Sequence, residues 1–338
     1  MSMKVVVVTQ YHFSLWNAPQ SFLDRLRREF PDIEFVYRPN YDNIENYISD
    51  ADIMVAASLR PEQFLAAKKL KWIYSTAAAV HQLLFQELVD SDVILTNASE
   101  VHGHCVAQHV MALIFVAARR IDADVRFQQR RFWGQEDLWQ QHPRPREVDG
   151  ATLGIIGVGA IGRDVARMAS AVGMRVVAVR EHPQRGVDWL PADSPDRSRH
   201  TVYGIDQLDR MLREADFVVL AAPTTGQTQR LMNRERLSQM KPDAWLINVG
   251  RGALVEEEAL IEALQKKAIG GAALDVFDTE PLPAHSPLWS FENVIITPHV
   301  AGMTDRIWDR QFEFFSENLR RFLAGRPLLG VVDKRKGY

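Results

Sequence analysis

Three short segments each place a reactive side chain directly after an apolar run that reads as a strand. They are Asn248-Val249-Gly-Arg251-Gly, Asp275-Val-Phe-Asp-Thr-Glu280-Pro-Leu-Pro283 and Thr297-Pro-His299-Val-Ala-Gly302. An arginine guanidinium is a planar fork that holds a carboxylate through two hydrogen bonds. A histidine side chain changes charge near neutral pH, so it can move the proton that accompanies a hydride. A glutamate on the other ring nitrogen orients the imidazole and favours its charged form. Singly, each has an ordinary role: Arg251 in a surface ion pair, Glu280 opening a turn at Pro281, His299 packed in a loop. Together they form a candidate site for hydride and proton chemistry, provided that the chain also binds a redox cofactor.

That provision is met by Thr152-Leu-Gly-Ile-Ile-Gly157-Val-Gly159-Ala160-Ile161-Gly162-Arg163. An apolar run (Leu153, Ile155, Ile156) enters Gly157-x-Gly159-x-x-Gly162, and a helical pattern follows from Ala160 to Val172. The first glycine permits a tight turn, the second lets backbone approach a pyrophosphate, and the third allows close helix–strand packing. The helix N-terminus adds N–H groups and a positive dipole end. Strand, turn and helix together make this a dinucleotide-binding fingerprint, which a bare glycine spacing would not be.

The fingerprint lies near mid-chain, so a sizeable unit precedes it. Strands are expected at Lys4–Val8, Ile33–Tyr37, Ile53–Ala57, Trp72–Ser75 and Val93–Thr96. Helical spacing of Phe22, Leu23, Leu26 and Phe30 ends at Pro31, and Pro61 opens another helix. A long helix is read from about Val101 to Phe132, followed by Trp133, Gly134 and Trp139. Beyond the fingerprint, strands are expected at Val176–Val179, Phe217–Ala221, Ala244–Asn248, Gly271–Asp275 and Val294–Thr297. Pro183–His200 reads as a mobile surface loop. Alternating strands and helices imply an α/β chain with two parallel sheets, each covered on both faces. An amphipathic helix at Gln311–Leu323 follows the last strand. Its simplest course returns to the N-terminal domain, which makes the cofactor domain an insertion with a substrate cleft between the lobes.

The 338 residues suffice for two ordinary domains. A net charge of −3 gives no footprint for nucleic acid or an anionic membrane. The N-terminal apolar run is too short for a signal peptide or a membrane span. The single cysteine, Cys105, leaves no internal disulfide and fits a reducing cytoplasm. His102, His104, Cys105 and His109 are close enough in sequence to suggest a zinc site. On a helix only positions 102, 105 and 109 approach one face, so helix packing without a metal is the reading taken.

The three reactive segments, together with Leu70-Lys-Trp-Ile-Tyr-Ser-Thr, Asn97-Ala-Ser-Glu-Val-His-Gly-His and Leu220-Ala-Ala-Pro223-Thr-Thr, resemble the D-isomer-specific 2-hydroxyacid dehydrogenases over nearly the whole chain. The resemblance implies a Rossmann-type NAD(P)-binding domain at 101–300, with a dimerisation helix, inserted into a flavodoxin-like substrate domain at 1–100 and 301–338. It implies that Arg251 holds the substrate carboxylate and carbonyl, that Glu280 pairs with His299, and that His299 is the general acid/base. Gly157, Gly159, Ala160, Ile161, Gly162, Pro223 and Val249 fall on the cofactor's side. Asp275 would contact the nicotinamide carboxamide, or else serve as a capping or turn residue. The amides of Ala78, Ala79 and Val80 would receive the substrate carboxylate. Leu59, Arg60, Tyr74, Trp289 and Trp139 are the pocket candidates, with Arg60 alternatively exposed beside its helix. Small acids such as glyoxylate and hydroxypyruvate are favoured over the long phosphoglycerate dehydrogenase type, since no regulatory segment follows residue 338. A cofactor-sensing corepressor-like protein and a formate-type dehydrogenase are the alternatives, and a homodimer is expected.

Two departures from the family pattern stand out. Ala79 replaces a usual glycine, and His81 a common acidic residue; alanine keeps the N–H but tolerates positive φ less well. Arg180, followed by Glu181, stands 18 positions after Gly162, where NAD-preferring sites carry an acid for the ribose 2′-hydroxyl. An arginine there attracts a 2′-phosphate, so NADP(H) is favoured and NAD(H) remains open. The alternative is that Arg180 lies flat over the adenine.

Overall fold

Four consecutive valines, Val5 to Val8, have no exposed surface in the computed structural model, which describes residues 3–338. They belong to β1 (Lys4–Val8), and their alternation divides the surrounding core. Val5 and Val7 pack with Phe22, Trp72, Phe315 and Leu319 on one face; Val6 and Val8 pack with Ile44, Met54, Phe64 and Ile73 on the other. Burial on both faces explains why the strand reads as unbroken apolar sequence. With β2 (Glu34–Arg38), β3 (Ile53–Ala56), β4 (Trp72–Tyr74) and β5 (Ile94–Thr96), it forms a parallel sheet of order β2-β1-β3-β4-β5. The C-terminal helix, Ile307–Leu323, returns to this sheet through Phe315, whose ring stacks on Trp72 at 5.3 Å.

The chain folds as two compact units, one running to His102 and resuming at Met303–Tyr338, the other Gly103–Gly302. The second holds a seven-stranded parallel sheet of β6 (Thr152–Ile156), β7 (Arg175–Val179), β8 (Thr201–Tyr203), β9 (Phe217–Leu220), β10 (Trp245–Asn248), β11 (Gly271–Leu274) and β12 (Val294–Ile296). Its order is β12-β11-β10-β9-β6-β7-β8, so the connection reverses between β6 and β9. In such doubly wound sheets, ligands bind at the carboxyl ends of the strands near that reversal.

Three expectations are corrected. The long helix is broken: Ser99–Arg119 and Ile121–Gln129 are separate helices, with Arg120 left-handed between them at φ 57°. The Arg120 guanidinium turns inward onto the Pro143 carbonyl and Asp122. Pro183–His200 is not simply a surface loop. Val187 and Trp189 are buried in the same cluster as Val158 of the glycine loop, and the segment runs into the edge strand β8, which sequence reading missed. Tyr74 belongs to the core, where its hydroxyl bonds Gln311, because the β4 register turns it inward. Helix Ser99–Arg119 is apolar and long enough to cross a membrane, yet 67% of its apolar window is buried inside the protein, which marks it as a core helix.

Candidate functional site

The glycine loop opens the second unit's site. Gly157 sits at φ 94°, and a Cβ there would lie 2.7 Å from the Ala222 backbone. At Gly162 a Cβ would lie 2.1 Å from the Gly157 carbonyl oxygen, so the first turn of helix Ala160–Ala171 lies directly against the loop. Gly159 differs: a Cβ would meet nothing within 4 Å. This open space, bordered by Ala160 and Ile161, is where the fingerprint needs backbone to meet a pyrophosphate, and the first-turn N–H groups lack intrahelical acceptors. The loop therefore fits a dinucleotide.

That difference gives a paired expectation. Gly162→Ala forces backbone apart and should lower the melting temperature by several degrees, an overpacking cost of about 1–3 kcal/mol. Gly159→Ala should melt like the wild type yet weaken nucleotide binding at least tenfold, because its methyl occupies the open space. Calorimetry and fluorescence titration of both variants check this, and equal nucleotide affinity for Gly159→Ala and the wild type would sink it.

The other candidates of this unit stand at the carboxyl ends of β7, β9, β10, β11 and β12. Pro223 is exposed beyond β9 and its carbonyl accepts from Thr228 Oγ1, whereas Val249 is buried beyond β10. Arg251 follows, its Nη1 donating to the Gly250 carbonyl at 2.6 Å. Asn248 fixes that turn, donating from its amide to the Arg251 carbonyl and accepting from Gly250 N–H. Burial pushes the Arg251 guanidinium below its ordinary range, and the nearby Glu280 carboxylate opposes this. A guanidinium remains charged at neutral pH under such a shift.

Glu280 and His299 meet directly, with His299 Nδ1 2.6 Å from Glu280 Oε2. The second carboxylate oxygen accepts Phe277 N–H at 3.0 Å, so the glutamate is anchored from its own turn. His299 is left-handed at φ 53°, a region in which histidine is enriched among non-glycine residues. Its N–H is shared between the carbonyls of Asp275 and Thr297, and its half-exposed side chain leaves Nε2 available for chemistry.

Asp275 takes part in a turn. It is buried, and its carboxylate accepts the Thr297 hydroxyl at 2.6 Å, Val300 N–H at 2.9 Å and Ala301 N–H at 3.0 Å. These bonds hold the loop that carries His299. His109 joins them, its Nε2 3.1 Å from Thr297 Oγ1. Burial lowers the His109 pKa below the usual imidazole value, and Asp275 pulls it back up. Sequence reading missed Thr297 and His109 as supports; a polar Thr-Pro-His turn was the one available signal. The histidine and cysteine side chains of helix Ser99–Arg119 go separate ways: His102 to the Thr76 carbonyl, His104 to Gln108, Cys105 to the Gly302 carbonyl. Among the described residues no three metal-ligating side chains gather.

In the other unit, Ala78, Ala79 and Val80 follow β4, with the Ala78 carbonyl held by Asn97 Nδ2 at 2.9 Å. Six described non-glycine residues hold a positive φ, and Ala79 is not among them, so alanine carries no strain there. His81 opens a short 3-10 turn. Arg60 is exposed and pairs with Glu62, its ordinary role, while Leu59 is buried. Trp139 and Trp289 are both half exposed.

Residues 111–301 match the family described as "D-isomer specific 2-hydroxyacid dehydrogenase, NAD binding domain". The chain is 33% identical over 308 residues to a glyoxylate reductase of Korarchaeum cryptofilum, covering 88% of this chain and 87% of that one. It is 30% identical over 313 residues to a D-3-phosphoglycerate dehydrogenase of Methanocaldococcus jannaschii, covering 91% of this chain and 57% of that one. A solved NADPH-dependent glyoxylate/hydroxypyruvate reductase from Sinorhizobium meliloti, in complex with NADP and sulfate, superposes with a TM-score of 0.79 at 27% identity over 99% of this chain and 100% of that one. A glycine loop at the reversal of a parallel sheet, a histidine–carboxylate pair at its strand ends and matches over nearly the full length lead to one conclusion. The chain belongs to the D-isomer specific 2-hydroxyacid dehydrogenase family and is an NAD(P)-dependent oxidoreductase of that family.

Proposed function

We propose that the chain reduces a small 2-keto acid, glyoxylate or hydroxypyruvate, to its D-2-hydroxy acid with NADP(H) as the preferred cofactor. The Glu280–His299 pair carries this reading. A bound nicotinamide supplies a hydride to the keto carbon. Arg251 would grip the substrate carboxylate and the keto oxygen. Glu280 accepts a hydrogen bond from Nδ1–H of His299, which fixes the ring with Nε2–H as the proton donor to the developing alkoxide. Arg180 in place of an acid at the end of β7 supports the phosphorylated cofactor. The S. meliloti reductase, which resembles this chain over its full length and binds NADP, supports both the substrate and the cofactor. Phe115, Val125 and Trp139 on the helices from Ser99 to Gln140, and Phe132 and Trp133 in a link between them, expose apolar surface, Trp133 with 90% of its area. That surface supports a homodimer.

A panel of 2-keto acids, glyoxylate and hydroxypyruvate included, is assayed with each reduced cofactor. The expected result is turnover of one of those two acids, faster per unit concentration with NADPH, by a protein whose light-scattering mass is that of a dimer. Cofactor binding without turnover of any acid favours the corepressor-like alternative instead. A higher kcat/KM with NADH overturns the cofactor assignment.

A further inference from the structure

Arg180 does not reach the cofactor's side of the glycine loop as a free cation. Its backbone N–H is fixed to the Tyr203 carbonyl of β8. Its guanidinium donates through Nη1 to Asp188 Oδ2 at 2.8 Å and through Nη2 to the carbonyl of Val158, inside the glycine loop, at 3.4 Å. Only 9% of the residue is exposed. Asp188 is held in place from both sides, because Val187 and Trp189 are buried against the same cluster as Val158. The Asp188 side chain, in contrast, keeps more than a quarter of its surface in solvent. A carboxylate thus already holds Nη1, one of the donors that an incoming anion would need.

We infer that Asp188 is a specificity-determining residue whose carboxylate competes with the cofactor's 2′-phosphate for the Arg180 guanidinium. The inference rests on the reading that Arg180 faces the ribose 2′ position. Two anions cannot both take Nη1, and a dianionic phosphate beside an unneutralised carboxylate is repelled at short range. A ribose that carries only a hydroxyl meets no such repulsion, and the carboxylate can accept a hydrogen bond from it. Asp188 therefore weakens NADPH, leaves NADH workable, and narrows a preference that Arg180 alone would make steep.

The test uses the full chain and two probes of the adenine half, 2′,5′-ADP and 5′-AMP, whose dissociation constants are read by calorimetry without turnover. Asp188→Asn keeps the size of the side chain and its hydrogen bond to Arg180 but removes the charge. It should bind 2′,5′-ADP roughly tenfold more tightly than the wild type, the size expected for deleting one repulsive charge in a partly exposed pair, with 5′-AMP unchanged within about twofold. Asp188→Ser, which also abolishes the charge, should move the same way. Unchanged or weaker 2′,5′-ADP binding by both variants overturns the inference. Arg180→Gln reports separately on the reading beneath it. If that variant loses the preference for 2′,5′-ADP while the Asp188 variants gain nothing, Arg180 stands and the competition falls. If Arg180→Gln keeps the wild-type preference, the placement of Arg180 at the 2′ position falls, and the inference with it.

Discussion

Replacing His299 by asparagine is expected to lower the rate of keto-acid reduction about 10²–10⁴-fold, the usual worth of a positioned general acid, while nucleotide affinity stays within about twofold. Asparagine is the sharper substitution because residue 299 is left-handed. Asparagine tolerates that region, whereas alanine adds backbone strain to the loss of the imidazole. The shared hydrogen bond from the residue 299 N–H to the carbonyls of Asp275 and Thr297 is kept in either variant. The Gly157–Gly162 loop lies on other strand ends, so the cofactor should not notice the change. The direction of proton transfer sets opposite demands on residue 299: reduction consumes the protonated ring, and oxidation of the hydroxy acid needs the neutral one. Steady-state rates in both directions with a parallel fluorescence titration provide the check, and turnover within fivefold of the wild type would remove His299 from the mechanism.

The sequence made the strand ends legible, but the Glu280–His299 pairing came from the family resemblance and not from spacing. Apolar runs marked nearly every strand because both sheets are covered on both faces, and continuous burial leaves a continuous apolar pattern. β8 escaped because three residues at a sheet edge, half buried, carry almost no pattern. The types of Arg251, Glu280 and His299 announced their chemistry, whereas the 2.6 Å contact between Glu280 and His299 joins residues 19 apart and depends on the β11–β12 register. Asp275 shows the limit most clearly. Its carboxylate accepts from Thr297, Val300 and Ala301, partners that only the parallel pairing of two strands brings near. Asp188 lay hidden for the opposite reason. The segment around it is polar in composition, and the two buried side chains that anchor it, Val187 and Trp189, are too few to make a periodic signal.

The second large effect is expected at Arg251. Gly252 lies so close to the next strand's turn that a Cβ would stand 1.9 Å from the Phe277 carbonyl carbon. The Arg251 turn and the turn leading to Glu280 are therefore locked together, and neither can shift to compensate for a shorter or differently shaped cation. Lysine keeps the charge but replaces a planar, two-pronged donor with a single point of charge on a flexible stem. If Arg251 bound only the substrate carboxylate, Arg251→Lys would raise KM and spare kcat, because that contact is equal in the ground and transition states. If it also holds the keto oxygen, where negative charge develops as hydride arrives, kcat must fall as well. The proposed role requires the second pattern. Arg251→Lys should lower kcat/KM about 10²–10³-fold, the magnitude for losing one donor to a developing oxyanion, with the loss divided between the two constants. Arg251→Gln should fall further, since it removes the positive charge as well as the two-pronged donor. Rates with the preferred keto acid, measured above and below KM, separate the patterns. A rise in KM at constant kcat would confine Arg251 to ground-state binding and leave His299 as the only group acting on the oxygen.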